Sequence, residues 1–528
     1  MPLSPTYPGI YIQELQSTSH PITAAPTSIT VFVGYTHPFR TIAAWNTATQ
    51  IFTFTDYQRL FGGLYSSGVI ESHVAYAVYQ FFLNGGSNAY VVPLQPQSYY
   101  DSNGNFQAQV LPATVTVGPL VFTAQQPIDA VPMTLTINNI QKTFQLADTA
   151  DIQISYGPQA ETYRKVNLNP NDPNFIGARI AQVNSSGVVT GPSQLVTVAI
   201  PSNAQTGIVP IGQAALQNLP AVNPDWTTFS GNDFTPIFQQ DSSLDKAPVF
   251  NLLLVPGVAD SGISSEALAF AERKLAFVIM DPPPQDSADG YGSAGLPLIG
   301  ADIQLSIIPK SANGALYFPY LQSQDPLTSN TYAYPPSGYV AGIYANTDNN
   351  RGVWKAPAGL QTTIISSDGV VPTGVMTDLR QGTLNPLGVN CLRDFPDIPT
   401  VVWGARTLVT DNPAFVQWRY VPVRRMALFL EQTLYQNLTW VVFEPNDDPL
   451  WVAIRTSIES FMLTLFSQGA FQGSTPSQAF QVLCDSSTTT QTDIDNGIVN
   501  IVVAFAPLKP AEFVIVKIAQ MAGQSQSS

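Results

Sequence analysis

Short apolar runs alternate with helix-period stretches at both ends of this chain, and that alternation commits it to an α/β fold. Ile29-Thr30-Val31-Phe32-Val33-Gly34 reads as a buried strand closed by a glycine turn. Val69, Val74, Val78, Phe81 and Phe82 then recur at helical spacing, Gly85-Gly86 stops that helix, and Ala89-Tyr90-Val91-Val92 returns as a strand. The pattern resumes at Val249–Val255, with a helix over Ser264–Phe277 and a strand at Phe277–Met280 that Asp281-Pro282-Pro283-Pro284 ends abruptly. From Pro399 the expectation is a strand at Thr400–Trp403, a helix over Val421–Asn437, a strand at Trp440–Phe443 and a second helix over Asp448–Gln468. Leu450, Trp451, Ile454, Ile458, Phe461, Met462 and Leu465 form the apolar stripe of that second helix, and Asp447 or Asp448 suits its N-terminus. Two last apolar runs, Ile498–Phe505 and Glu512–Ile518, read as strands that are either paired or separately donated.

The middle of the chain obeys a different period. Between residues 96 and 244, Thr114-Val115-Thr116-Val117, Thr134-Leu135-Thr136-Ile137 and Gln194–Ile200 alternate with period two, with Asn138-Asn139 as a hairpin turn. This is a mostly β insertion in an α/β chain. A loop-rich stretch is expected from about 310 to 360. A length of 528 residues suggests three or four domains, so the fold class is mixed α/β and multi-domain. The divisions are an extended arm at 1–28, an α/β core from 29–95 plus 245–497, the insertion at 96–244, and terminal strands with a polar tail at 498–528.

The arm at the N-terminus carries proline at 2, 5, 8, 21 and 26, which keeps it extended. In Tyr7-Pro8-Gly9-Ile10-Tyr11-Ile12-Gln13-Glu14, Ile10 and Ile12 share one face and Tyr11 and Gln13 the other. A lone strand cannot satisfy its own backbone groups, so it adds to the edge of another sheet or frays.

Charge and motif content narrow the function. The chain holds 21 Lys and Arg against 36 Asp and Glu, a net −15, which disfavours nucleic acid as a partner. Only 11% of residues are charged and 45% are hydrophobic, so the chain folds, with a polar uncharged surface suited to packing against other protein. Cys391 and Cys484 form no C-x-x-C pair and read as two buried thiols. No export signal and no transmembrane run are recognised. His20, His37 and His73 make no metal-binding pair, and G-x-S-x-G and the P-loop are both missing. Asp493-Ile494-Asp495-Asn496-Gly497 begins like a calcium loop but lacks the later glycine and glutamate. No catalytic, cofactor or metal site is expected, and the chain is read as no enzyme. Arg393, Arg406, Arg419, Arg424, Arg425 and Arg455 lie among Asp394, Asp397, Asp411, Glu431, Glu444, Asp447 and Asp448, a balance that suggests ion pairs within the fold or between copies.

A set of ordered motifs resembles the tail sheath family of contractile phages and phage-like injection systems. They are Tyr7–Glu14, Val340-Ala341-Gly342-Ile343-Tyr344, Arg351-Gly352-Val353-Trp354-Lys355-Ala356-Pro357, Asn385–Asn390, Val402–Leu408, Trp418–Val421 with Arg424-Arg425, Trp440–Asn446 and Leu508–Ile515. The matches run over residues 1–95 and 245–520, and the resemblance sets a C-terminal sheath domain at about 385–497. It implies a subunit that polymerises in stacked six-fold rings around an inner tube, on a baseplate and under a terminator or cap protein. Contraction of a metastable lattice would then drive the tube through an envelope without nucleotide. Assembly is expected in the bacterial cytoplasm, within a phage tail or injection particle and without membrane insertion. On this reading Tyr7, Gly9, Ile10, Tyr11, Ile12 and Glu14, with Glu512, Phe513, Val514, Ile515 and Val516, are arms exchanged between subunits. Arg419, Arg424, Arg425, Asp447 and Asp448 are lattice or tube contacts. The alternatives from other classes are an α/β hydrolase-like enzyme and a surface carbohydrate-binding or adhesin protein.

Overall fold

The computed structural model describes residues 20–37, 40–65, 72–94, 112–126, 132–142, 148–156, 159–183, 189–200, 231–283, 308–372 and 375–517, with the short pieces 99–100, 106–107, 128, 208 and 211–216. The arm residues Tyr7, Gly9, Ile10, Tyr11, Ile12 and Glu14 lie outside the described residues. The chain divides into two compact units: residues 26–350 with 357–419, and residues 1–25 with 351–356 and 420–528.

The larger unit is built on one eight-stranded sheet. Its strands are β1 (Thr30–Gly34), β2 (Thr49–Ile51), β3 (Ala89–Pro93), β4 (Leu252–Leu254), β5 (Phe277–Met280), β6 (Gly314–Phe318), β7 (Val389–Phe395) and β8 (Ile398–Val402), in the order β2-β3-β1-β4-β5-β6-β7-β8. The inner pairings are parallel, and antiparallel β2 and β8 close the two edges. Continuous apolar runs such as Thr30–Gly34 suit strands buried on both faces. Val31, Val33, Leu253, Val278 and Leu316 pack with the helices Gly231–Phe238 and Ser261–Arg273. On the other face Phe32 meets Phe81 of the helix Val74–Leu83, and the Tyr317 hydroxyl meets that of Tyr344 on the helix Ser337–Arg351. The helix Gly231–Phe238 thus belongs to the α/β core, although its residues fall in the range assigned from sequence to the insertion.

The stretch expected to be loop from 310 to 360 instead holds β6, a three-stranded sheet of Leu321–Gln324, Thr331–Tyr334 and Gly369–Val370, and the helix Ser337–Arg351. Residues 337–345 are buried without a break, so that helix shows no polar stripe in sequence. A Cβ at Gly338 would stand 2.5 Å from the Ala77 Cα, and one at Gly342 2.8 Å from the Phe81 carbonyl oxygen. The two glycines therefore let this helix lie directly against Val74–Leu83.

Asp281 fastens the end of β5 to the start of the same helix. Its carboxylate accepts from the N–H groups of Gly257 (2.9 Å) and Ser337 (2.7 Å) and from the Ser337 hydroxyl (2.6 Å). Burial pushes its pKa from 3.8 up to about 6 against the pull of those donors. A carboxyl raised in this way contributes stability that is fully present below pH 3.8 and is lost as pH rises through 6. Asp281→Ala leaves three buried donors unpaired, and the expected loss is on the order of 3 kcal/mol. Melting curves should show a larger gap between the two proteins at pH 5 than at pH 7.5; an equal gap would refute the assignment.

The insertion forms a second core of its own. Leu120, Phe122, Leu135, Ile137, Ile152, Ile154 and Leu195 pack together between a four-stranded antiparallel sheet and a three-stranded one. Asn138-Asn139 is not a hairpin turn. The strand Met133–Gln141 runs through it, with Asn139 at φ 53° where the register against Thr149–Tyr156 shifts.

In the smaller unit, α1 (Val421–Asn437) and α2 (Asp448–Ser467) pack through Met426, Phe429, Leu430, Trp451, Ile454, Ile458 and Met462. The hairpin of β9 (Phe480–Leu483) and β10 (Val502–Phe505) lies in the same core through Val482, Val503 and Phe505. Residues 20–25 run along α1. Thr23 and Asn437 exchange hydrogen bonds of 2.9 and 2.8 Å, the Ala25 N–H donates to the Thr433 hydroxyl, and His20 stacks on Trp440. The expected strand at Trp440–Phe443 is replaced by a 3-10 turn at Thr439–Val441. Asp493–Asn496 belongs to a short helix, Gln491–Asp495 and its cap, which a Thr490–Asp493 capping box opens.

Candidate assembly surface

Past β10, Pro507 makes one isolated bridge to Phe471, and residues 508–517 then run without strand pairing, although Glu512–Ile518 reads as a strand. Phe513, Val514, Ile515 and Val516 are 74–83% exposed. Four consecutive apolar side chains in water have no stabilising role in the folded subunit and mark a contact surface. Glu512 roots this segment, accepting a 3.4 Å hydrogen bond from the Tyr420 hydroxyl at the head of α1. The β9–β10 sheet has only two strands, so backbone groups on its outer edges face no further strand of that sheet. An apolar segment of strand-forming residues and a narrow open sheet are therefore carried by the same unit.

The other residues singled out from sequence are dispersed. Arg424 pairs with Glu431 across two turns of α1 at 3.2 Å, and Arg425 beside it is buried. Arg419 belongs to the larger unit, where its carbonyl accepts from the Thr407 N–H. Asp447 is the N-cap of α2, accepting from the Leu450 N–H at 3.2 Å, and Asp448 follows it, exposed in the first turn. Of the remaining arginines in that interval, Arg393 pairs with Asp378 and Arg455 with Asp485.

Sequence reasoning missed Phe443. Its side chain is fully exposed and its backbone lies at φ 71°, a conformation that costs a bulky residue on the order of 1–3 kcal/mol. The available signal was the apolar pair Val442-Phe443 one residue before the turn-forming Pro445-Asn446-Asp447 that leads into α2.

Among the described residues, the titratable groups show no cluster fit for chemistry. His37 is buried and His73 half-buried, and desolvation holds their pKa values down to about 3 and about 4. Cys391 and Cys484 are both buried free thiols, and burial pushes that of Cys391 up to about 12. Among the described residues, no group of three or more His, Cys, Asp or Glu side chains is arranged to hold a metal ion, and no helix is long and apolar enough to cross a membrane.

Residues 242–408 match a family model described as the phage tail sheath protein central domain, and residues 416–520 match one described as the phage tail sheath C-terminal domain. Together the two matches take in just over half of the chain. A protein named as a prophage major tail sheath protein from Pseudomonas aeruginosa (strain UCBPP-PA14) is 25% identical over 270 residues. That alignment takes in 49% of this chain and 62% of the relative, so the chain spans less than two thirds of the relative's length. Among solved structures, the sheath complex of the extracellular contractile injection system PVC in its contracted state is similar with a TM-score of 0.57 at 21% identity, over 98% of each chain. A chain of the anti-feeding prophage baseplate is similar with a TM-score of 0.55 at 23% identity, over 98% of this chain and 100% of that one.

Proposed function

Because this chain belongs to the phage tail sheath protein family, whose members are structural proteins and not enzymes, we propose that it is the contractile sheath subunit of a phage-like injection particle. It polymerises as stacked hexameric rings around an inner tube, seated on a baseplate and closed by a terminator or cap protein. The lattice is assembled in an extended, metastable form, and its contraction drives the tube through a target envelope.

The observation that carries this reading is the apolar segment Phe513–Val516, held in water on the same unit as a two-stranded sheet. Strand addition satisfies both at once: the arm of one subunit pairs with the open sheet of the next, hydrogen-bonding its backbone and burying its apolar side chains. The N-terminal arm is the second donated strand. Residues 20–25, tied to α1, then fix the point from which it leaves. Paired strands that stay joined to their own subunits let those subunits turn during contraction without breaking the lattice.

Negative-stain electron microscopy of the purified protein over a concentration series tests the proposal. Hollow striated tubes of uniform width are the expected result. Dispersed particles that also fail to coat the inner tube protein of the same particle would overturn it.

A further inference from the structure

The four-stranded sheet of the insertion ends on the strand Gln159–Val166, and among the described residues no further strand of that sheet lies beyond it. Two bulges flank the neighbouring strand, Thr149–Tyr156. Asn139-Ile140 stand opposite Ala150, and Arg164-Lys165 stand opposite Asp151. Each bulge holds one residue at positive φ, Asn139 and Lys165, both at 53°. A single carboxylate ties the two together. Asp151 accepts from the Asn139 side-chain amide on one side and from the Lys165 backbone N–H on the other, each at 2.9 Å. Those donors hold its carboxyl below the ordinary value of 3.8. On the outer strand Glu161 stands opposite the buried Ile154 and so shares its face. There its carboxylate accepts from the Ser193 hydroxyl (2.6 Å), the Gln194 N–H (2.8 Å) and the Tyr163 hydroxyl (3.0 Å).

We propose that Asp151, with Glu161, Arg164 and Lys165, closes the outer edge of the insertion to strand addition and so steers the apolar arms of neighbouring copies to the β9–β10 sheet. The inference rests on the strand-exchange reading above and names what keeps that exchange selective. A bulge, exposed basic residues and a charge aimed inward each make a sheet edge refuse another strand. The strand Gln159–Val166 carries all of them. β9 and β10 carry none: Phe480–Leu483 and Val502–Phe505 contain no charged residue and no proline, and their pairs keep one register. A donated segment such as Phe513–Val516 needs a straight run of accessible N–H and C=O groups. At the insertion edge the Lys165 N–H is already turned onto Asp151, and Arg164 and Lys165 set two exposed cations beside any apolar strand that approached.

Hydrogen exchange of the full-length protein, kept below its assembly concentration, tests this with an excess of synthetic peptide of residues 508–518 as the probe. In wild type the peptide should slow exchange in 480–483 or 502–505 and leave 159–166 unchanged. The combined variant Asp151→Ala, Arg164→Thr and Lys165→Thr removes the clamp and the cations, and a β-branched residue at 165 disfavours positive φ. In that variant the peptide should also slow exchange across 159–163, by about ten-fold. Arg164→Thr with Lys165→Thr, which keeps Asp151 and its bond to Asn139, should show the same change in smaller measure. Slowed exchange at 159–163 in wild type overturns the proposal. So does a variant that melts like wild type yet takes no peptide on that strand. A wild type slowed at neither place would sink strand donation by this arm, and the proposal with it.

Discussion

A chain ending at Pro510 is expected to fold and melt like the full-length protein yet form no sheaths. The apolar side chains this removes from the described segment, Phe513, Val514, Ile515 and Val516, lie in water in the isolated subunit, and Glu512 takes with it a long, 3.4 Å bond from Tyr420. Their loss therefore takes little from the fold, as for other exposed surface changes, within about 0.5 kcal/mol. The consequence for the lattice is far larger. A donated strand forms several backbone hydrogen bonds worth about 1 kcal/mol each net, before any apolar burial is counted. Loss of about 4 kcal/mol per connection raises the concentration needed for assembly on the order of a thousand-fold. Sedimentation of wild-type and truncated protein across a concentration range reads this directly. Val514→Lys combined with Val516→Lys keeps the chain length while charging one face of the strand, and should give the same loss. Striated tubes of normal width from either protein would refute strand donation by this arm.

How much of this was legible in the sequence depended on whether an element shows its own periodicity. The helix starting at Asp448 buries one stripe, so its bounds could be read almost to the residue; the one at Val421–Asn437 is buried nearly all round as far as Thr433 and was bounded instead by Pro422 at its start and the polar Gln436-Asn437 at its end. The helix Ser337–Arg351 could not be seen, because its first half is buried all round and it opens with Ser337-Gly338 and carries a second glycine at 342. Those glycines are a packing requirement of the neighbouring helix, a fact no local pattern contains. Trp440–Phe443 failed in the opposite sense. It is an apolar run of strand-like composition, but its backbone closes on itself in a 3-10 turn and leaves Phe443 outside. The pairing of β1 with β4 across the whole insertion was equally out of reach, since Thr30 and Leu252 meet only through the completed sheet. The segment Phe513–Val516 reads in sequence as a run of strand-forming residues, and in the fold these four side chains lie exposed.

The second large effect is expected at the other end of the chain. Removing residues 1–16 should leave a folded subunit, because the anchoring contacts of Thr23 with Asn437, Ala25 with Thr433 and His20 with Trp440 all lie beyond the cut. It should nonetheless abolish sheath formation to the same degree as truncation after Pro510. If both arms donate strands to the same kind of receiving sheet, each subunit is bound to the lattice through two connections, and cutting either one leaves only half of them. A lattice that requires closure around a ring cannot grow from half-connected subunits, so deleting both arms should look no worse than deleting one. That near-equality separates strand exchange from an independent role for each arm, in which the losses would add. Electron microscopy and sedimentation of the three deletions, run beside wild type, decide the matter. Normal-length sheaths from the protein lacking residues 1–16 would remove the N-terminal arm from the mechanism and leave the C-terminal segment as the sole donated strand.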